Sequence, residues 1–296
     1  MIVLMEITIY IALVLVGLCM GSFAGATTWR LRANELADDK KRGDKYDAAE
    51  YKRLKKLSHV KTAQDRSVCL NCSYRLRWYD LIPLVSWLSL GGKCRQCHKP
   101  IGYFEPLMEL GVALFFVLSY AFWPGQLNSV LPVLHFVIWL IAGVVLAILF
   151  AYDAKWFLLP DKINYTLIGL GLVSSVIIAA TSGAPAAAVG SIAGSVAILS
   201  GLYYLIYLVS QGKWIGFGDI KLGLGLALLL GDWRLAFIAL FIANLVGCLI
   251  VIPLMAIGKL KRDSHIPFGP LLIIGTVVAW LAGMALLSWY SGIVLI

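Results

Sequence analysis

The chain has 296 residues, of which 60% are hydrophobic and 14% charged, with a formal net charge of +9. Soluble domains carry about 25% charged residues, so this chain has too little polar surface to cover a water-soluble globule. That balance excludes an ordinary soluble enzyme and points to a membrane body with one basic insert: 17 of the 25 Lys and Arg fall between Arg30 and Lys99.

A helix needs about 20 apolar residues to cross the hydrocarbon core, and uncharged runs of that length give the predicted spans in chain order. The first covers residues 7–29; it is too long for a signal peptide and lacks a basic leader before it. Residues 110–152 hold two, broken at Trp123-Pro124-Gly125-Gln126, and residues 163–212 two more, hinged at Ser182-Gly183-Ala184-Pro185. Residues 214–233 form a weaker span carrying Asp219 and Lys221, followed by spans over 235–258 and 266–296. The loops test this count. The basic insert follows the first span, Lys155 and Lys162 the third, Lys213 the fifth, and Lys259, Lys261 and Arg262 the seventh. Eight alternating crossings put all of these on one side, which the positive-inside rule makes the cytosol, with both termini on the other. The expected fold is an all-α polytopic membrane protein of about eight transmembrane helices: a first helix over 1–29, a small cytosolic insert over 30–104, and a membrane domain of about seven helices over 105–296.

Within the insert, Cys69-Leu70-Asn71-Cys72 and Cys94-Arg95-Gln96-Cys97 stand 21 residues apart. Disulfides are disfavoured in the cytosol, and two C-x-x-C knuckles suit tetrahedral zinc; a complete four-sulfur shell makes the metal structural. His98 reads as a surface residue, while Cys19 and Cys248, inside spans, read as packing residues. The apolar run 78–88 is expected to pack on the knuckles or lie at the membrane interface, where Trp and Tyr are favoured. Residues 38–65 are rich in Lys, Asp and Glu, and 48–57 read as either a short exposed helix or a solvated linker. Topology and attraction to anionic lipid account for the insert's basicity, so a lipid membrane is the expected partner and nucleic acid is not.

Asp153 closes the third span, and Asp219 sits in Gly216-Phe217-Gly218-Asp219 near the start of the sixth. Counted from Trp214, Asp219 falls about 7 Å inside the interface, at a depth similar to Asp153. An aspartate at bilayer depth costs about 3 kcal/mol. Two facing carboxylates give it a purpose: they share one proton, the ionised member activating water and the protonated one polarising a scissile carbonyl. Gly216 and Gly218 allow close backbone approach beside them. The same carboxylates would also serve a proton- or cation-coupled transporter, and Asp153 at a span end fits interfacial snorkelling. Asp161, in Leu159-Pro160-Asp161-Lys162, reads as a helix N-cap.

These motifs together resemble the bacterial type IV prepilin peptidases (leader peptidase and N-methyltransferase), of the Gly-x-Gly-Asp class of membrane aspartic proteases. The resemblance covers nearly the whole chain. It rests on Gly21-Ser22-Phe23 ahead of Arg30-Leu31, and on the four cysteines with Ile82-Pro83-Leu84-Val85-Ser86-Trp87-Leu88 and Gly92-Lys93-Cys94-Arg95. It continues through Pro106-Leu107-Met108-Glu109-Leu110, Asp153 with Leu159-Pro160-Asp161, Gly218-Asp219-Ile220-Lys221-Leu222, and Ile266-Pro267-Phe268-Gly269-Pro270. It implies that Asp153 and Asp219 are the catalytic pair, and that the substrates are type IV prepilin or pseudopilin precursors of pilus or secretion systems. It also implies a bacterial inner-membrane location, and methylation of the new N-terminus from S-adenosylmethionine. The family usually has Asn at Gly25, Pro at Leu70, Asn at Leu81 and Arg-Tyr at Phe104-Glu105. These departures lie in the half that the family links to methylation, and none touches the aspartates. The family has no glycine-rich Rossmann signature and neither does this chain, so sequence leaves the donor's site unplaced. Glu105, Glu109 and Asp161 are candidate acids for attracting the basic leader, with structural roles equally open.

Overall fold

The structure, a computed structural model, describes residues 2–60, 65–261 and 266–294. Lys61 and Arg262, counted above among the basic residues, lie outside them. The chain divides into two compact units, Met1–Val117 and Leu118–Ile296.

The first unit is built on helix α1 (Ile2–Arg42), which runs well past the expected end of its span at residue 29. Its charged continuation is stabilised from the side. Arg32 pairs with Glu35 one turn on at 3.1 Å and with Glu50 at 2.8 Å. Its apolar stripe, Ala33 and Leu36, is buried against Leu54. Leu54 belongs to α2 (Ala48–Leu54), whose N-cap Asp47 accepts the N–H groups of Ala49 and Glu50 at 2.8 and 3.0 Å. Residues 48–57 are therefore a helix with a 3-10 turn (Lys55–Leu57), packed on α1 rather than a free linker. The run 78–88 forms a 3-10 turn (Trp78–Leu81) and α3 (Val85–Ser89). Asp80 ties it to the second knuckle through Arg95 at 2.9 Å, while Trp78 and Leu88 stay 77% and 68% exposed. Helix α4 (Phe104–Ala121) then crosses α1 closely. A side chain at Gly21 would put its Cβ 2.5 Å from the Glu109 Cα, so only glycine fits that crossing.

The second unit carries α5 (Val130–Trp156) and α6 (Asp161–Thr181), then α7 (Pro185–Val196), continuing through a π-helical turn (Ala197–Gly201) into α8 (Leu202–Ser210). It ends with α9 (Phe217–Leu230), α10 (Trp233–Ala256) and α11 (Phe268–Val294). Among the described residues seven helices are long and apolar enough to cross a membrane, α7 and α8 counting as one continuous crossing. The eighth expected span is α9. It has 14 residues, begins after Gly216 and is stopped by Gly231 in the left-handed conformation (φ +62°). It packs among α6, α7, the π turn, α8, α10 and α11, and nine of its residues are buried. Gly225 admits the Leu167 side chain of α6, where an added Cβ would meet the Leu167 side chain at 2.8 Å.

Candidate active site and metal centre

Asp153 lies in the last turn of α5 and is 6% exposed. Its Oδ2 accepts the Gly269 backbone N–H at 3.0 Å. That donor sits in the first turn of α11, where unpaired N–H groups and the helix dipole favour a carboxylate. Gly269 lets the backbone approach this closely: a Cβ there would stand 2.7 Å from Asp153 Oδ2 and force the carboxylate or the helix start to shift. Asp219 is half-buried in the first turn of α9, and its Oδ2 accepts the Gly216 N–H at 3.3 Å. Because α9 starts at Phe217 and not at Trp214, Asp219 is its third residue, nearer the helix start than the sequence count placed it. The two carboxylates lie within electrostatic reach of each other. The structure thus brings both sequence-predicted aspartates into one neighbourhood, formed by the end of α5 and the starts of α9 and α11.

Asp161 is a correction. The N-cap of α6 is Pro160, with no side-chain cap. Asp161 instead follows it in the first turn and pairs with Lys221 of α9 at 2.6 Å. Pro160 has a fixed φ suited to the entry of a helix, which frees the aspartate for that inter-helix pair. Gly269 is the residue that sequence reasoning passed over. Its motif was read, but its contact with Asp153 spans 116 residues and no local pattern announces it.

In the first unit the four cysteine sulfurs all lie within 4.8 Å of one another. Cys69 and Cys97 stand 4.0 Å apart, and Cys72 and Cys94 3.9 Å. A tetrahedron with Zn–S of about 2.3 Å has edges of about 3.8 Å, so the donor set and its spacing fit zinc. The two knuckles are copies. Ser73 N–H returns to Cys69 O at 2.8 Å and His98 N–H to Cys94 O at 2.9 Å, each residue taking positive φ (62° and 55°). His98 is thus an exposed turn residue outside the sulfur cluster. Of the acids considered for leader binding, Glu105 Oε1 accepts Trp29 Nε1–H at 3.1 Å and Glu109 Oε2 accepts Leu84 N–H at 2.8 Å.

Comparison with known proteins divides the chain in the same order. The Bacterial Peptidase A24 N-terminal domain matches residues 15–123, and the Type IV leader peptidase family matches residues 140–252. A prepilin leader peptidase/N-methyltransferase of Aeromonas hydrophila is 34% identical over 226 residues, 76% of this chain and 74% of that protein. A protein of the same name from Pseudomonas aeruginosa is 29% identical over 272 residues, covering 91% and 89%. A type 4 prepilin-like proteins leader peptide-processing enzyme of Escherichia coli is 30% identical over 264 residues, covering 88% and 89%. No solved structure matches. Both aspartates fall in the stretch matched by the peptidase family and all four cysteines in the stretch matched by the N-terminal domain; the chain belongs to the type IV leader peptidase family.

Proposed function

We propose that the chain cuts the basic leader from type IV prepilin-like precursors at the cytosolic face of the bacterial inner membrane, with Asp153 and Asp219 as the catalytic pair. The observation that carries this reading is the buried Asp153 carboxylate, held by the α11 N-terminus within the field of Asp219. One carboxylate, ionised, takes a proton from water as its oxygen attacks the scissile carbonyl carbon. The other, protonated, gives its proton to the carbonyl oxygen. Collapse of the tetrahedral adduct breaks the C–N bond, and the departing nitrogen takes up the proton as the new N-terminus. In this arrangement the substrate's hydrophobic helix stays in lipid and its leader in the cytosol, with both termini of the enzyme on the opposite face. A transporter draws no support from the family that the chain matches.

The mature N-terminus is then methylated, in keeping with the names of the relatives. When bound, S-adenosylmethionine supplies the methyl group: the neutral amine takes it as the C–S bond breaks, and the nitrogen sheds one proton to solvent. Cys69, Cys72, Cys94 and Cys97 would hold a structural zinc, whose closed shell leaves no position for water.

The test is a co-expressed precursor followed by gel shift and by the mass of its mature N-terminus. Asp153→Asn and Asp219→Asn each abolish cleavage while the protein still accumulates in the membrane. Full processing by either single variant removes that residue from the pair. Complete cleavage without the added mass of one methyl, with donor supplied, would leave the first unit a structural or docking element.

A further inference from the structure

Between α1, the zinc knuckles and the start of α4, the first unit contains a cavity whose wall includes Ala26, Trp29, Arg53, Trp87, Glu105 and Glu109. Both indoles are fixed through their N–H groups, Trp29 to Glu105 Oε1 at 3.1 Å and Trp87 to the Gly102 carbonyl at 2.8 Å. The Arg53 guanidinium lies over the Trp29 ring at 5.6 Å, and Glu109 is 6% exposed. The site therefore combines flat apolar walls with charges of both signs. A basic peptide would meet the carboxylates but be opposed by Arg53, and an acyl chain would offer nothing to the charged side chains of the wall. A ligand with a planar ring, a cationic centre and a carboxylate answers all of these groups. We propose that this cavity binds the adenosyl sulfonium methyl donor, an assignment that rests on the methyltransfer reading above.

Calorimetric titration of the purified full chain with S-adenosylmethionine tests it. Ala26→Leu fills the cavity and Glu105→Gln removes a charge at constant shape; each weakens binding about tenfold or more. Variants are scored when they elute as wild type, so the near-isosteric Glu105→Gln keeps the test alive if Ala26→Leu misfolds. Wild-type affinity in both variants overturns the placement, while methylation of the precursor still stands by mass. An increased KM for cleavage with donor affinity unchanged gives the cavity to the leader and also overturns it. A wild type that neither binds the donor nor adds the methyl mass removes the methyltransfer reading together with the site.

An independent observation lies in the second unit. The π-helical turn Ala197–Gly201 reorients the residues that follow, and such turns are frequent at functional sites. Just beyond it, Tyr203 is 4% exposed and its buried hydroxyl has no hydrogen-bond partner among the described residues. Its ring packs edge-on against Phe268 at 5.4 Å, next to the Gly269 that holds Asp153. It also lies within electrostatic reach of Asp219. A buried hydroxyl left unbonded is destabilising, and a water held between it and Asp219 would satisfy it. We infer that Tyr203 is a third catalytic residue, its hydroxyl donating to the attacking water beside Asp219. Tyr203→Phe keeps the ring and removes the donor. The expected result is a kcat reduced about tenfold or more with KM within about twofold and Tm unchanged or higher. A raised Tm with unchanged kcat would mean the hydroxyl is only a burden. Tm and kcat falling together would make it structural. Either result overturns the inference.

Discussion

Replacing Gly269 by alanine tests the catalytic geometry most directly. The new Cβ would stand 2.7 Å from Asp153 Oδ2 and 3.3 Å from its Cγ, closer than carbon and oxygen tolerate. Either the carboxylate turns away or the start of α11 retreats, and in both cases the 3.0 Å bond from Gly269 N–H is lost. A hydrogen bond to a charged group contributes about 1.5–3 kcal/mol. At about 1.4 kcal/mol per factor of ten, that corresponds to a loss in kcat of about ten- to a hundredfold. Backbone entropy acts the other way, because alanine within a helix is favoured over glycine by about 0.5–1 kcal/mol. The net loss of global stability should therefore be held to about 0.5–2.5 kcal/mol while turnover falls. The assay is steady-state cleavage of a purified precursor in detergent, with thermal unfolding measured in parallel. Gly169→Ala, where an added Cβ meets nothing within 4 Å among the described residues, is the control. A Gly269→Ala enzyme with kcat within twofold of wild type would refute the idea that this N–H holds Asp153 in its working position.

Three further outcomes follow from the same structure. Asp161→Asn breaks the pair with Lys221, but the Asp161 side chain is 59% exposed, where such pairs contribute about 0–1 kcal/mol; cleavage should largely persist, and its complete loss would place Asp161 in the chemistry. Leu54→Ala opens a void against Ala33 and Leu36, a change that costs about 2–5 kcal/mol. Limited proteolysis around residues 43–60 should accelerate, and an unchanged digestion pattern would contradict the packing described. Cys69→Ser should lower bound zinc from about one per chain to a trace; elemental analysis finding no metal in wild-type protein purified without chelator would sink the assignment.

The membrane helices were legible because lipid imposes one rule on every span, so uncharged length alone located α4, α5, α6, α10 and α11. The continuation of α1 to Arg42 was not. Its residues 30–42 look like a charged loop, and the apolar face of Ala33 and Leu36 has meaning only once Leu54 is packed on it. The shortness of α9 was hidden for a related reason: Trp214 and Ile215 ahead of it are apolar, and its bounds are set by the extended backbone at Gly216 and the left-handed one at Gly231. At the site, the aspartates stood out because charge is rare in such segments. Gly269 and Tyr203 did not, since a glycine and a tyrosine at helix positions carry no local mark of what they face. Three of the four departures from the family pattern, Leu70, Leu81 and Glu105, line the cavity of the first unit. Only the fold gathers these positions, which lie far apart in sequence.

Helix α9 spans about 21 Å, against a hydrocarbon core of about 30 Å. Enclosed by neighbouring helices, it is spared the tilt or lipid thinning by which a short span normally adapts. Asp219 is thus positioned by protein packing and not by the water boundary, whereas a substrate helix anchored in lipid rises and sinks with that boundary. The two frames of reference coincide at only one acyl-chain length. Bilayer thickness then acts as a ruler: reconstitution into progressively longer-chain phosphatidylcholines carries the scissile bond past the carboxylates, and the rate of cutting passes through a maximum.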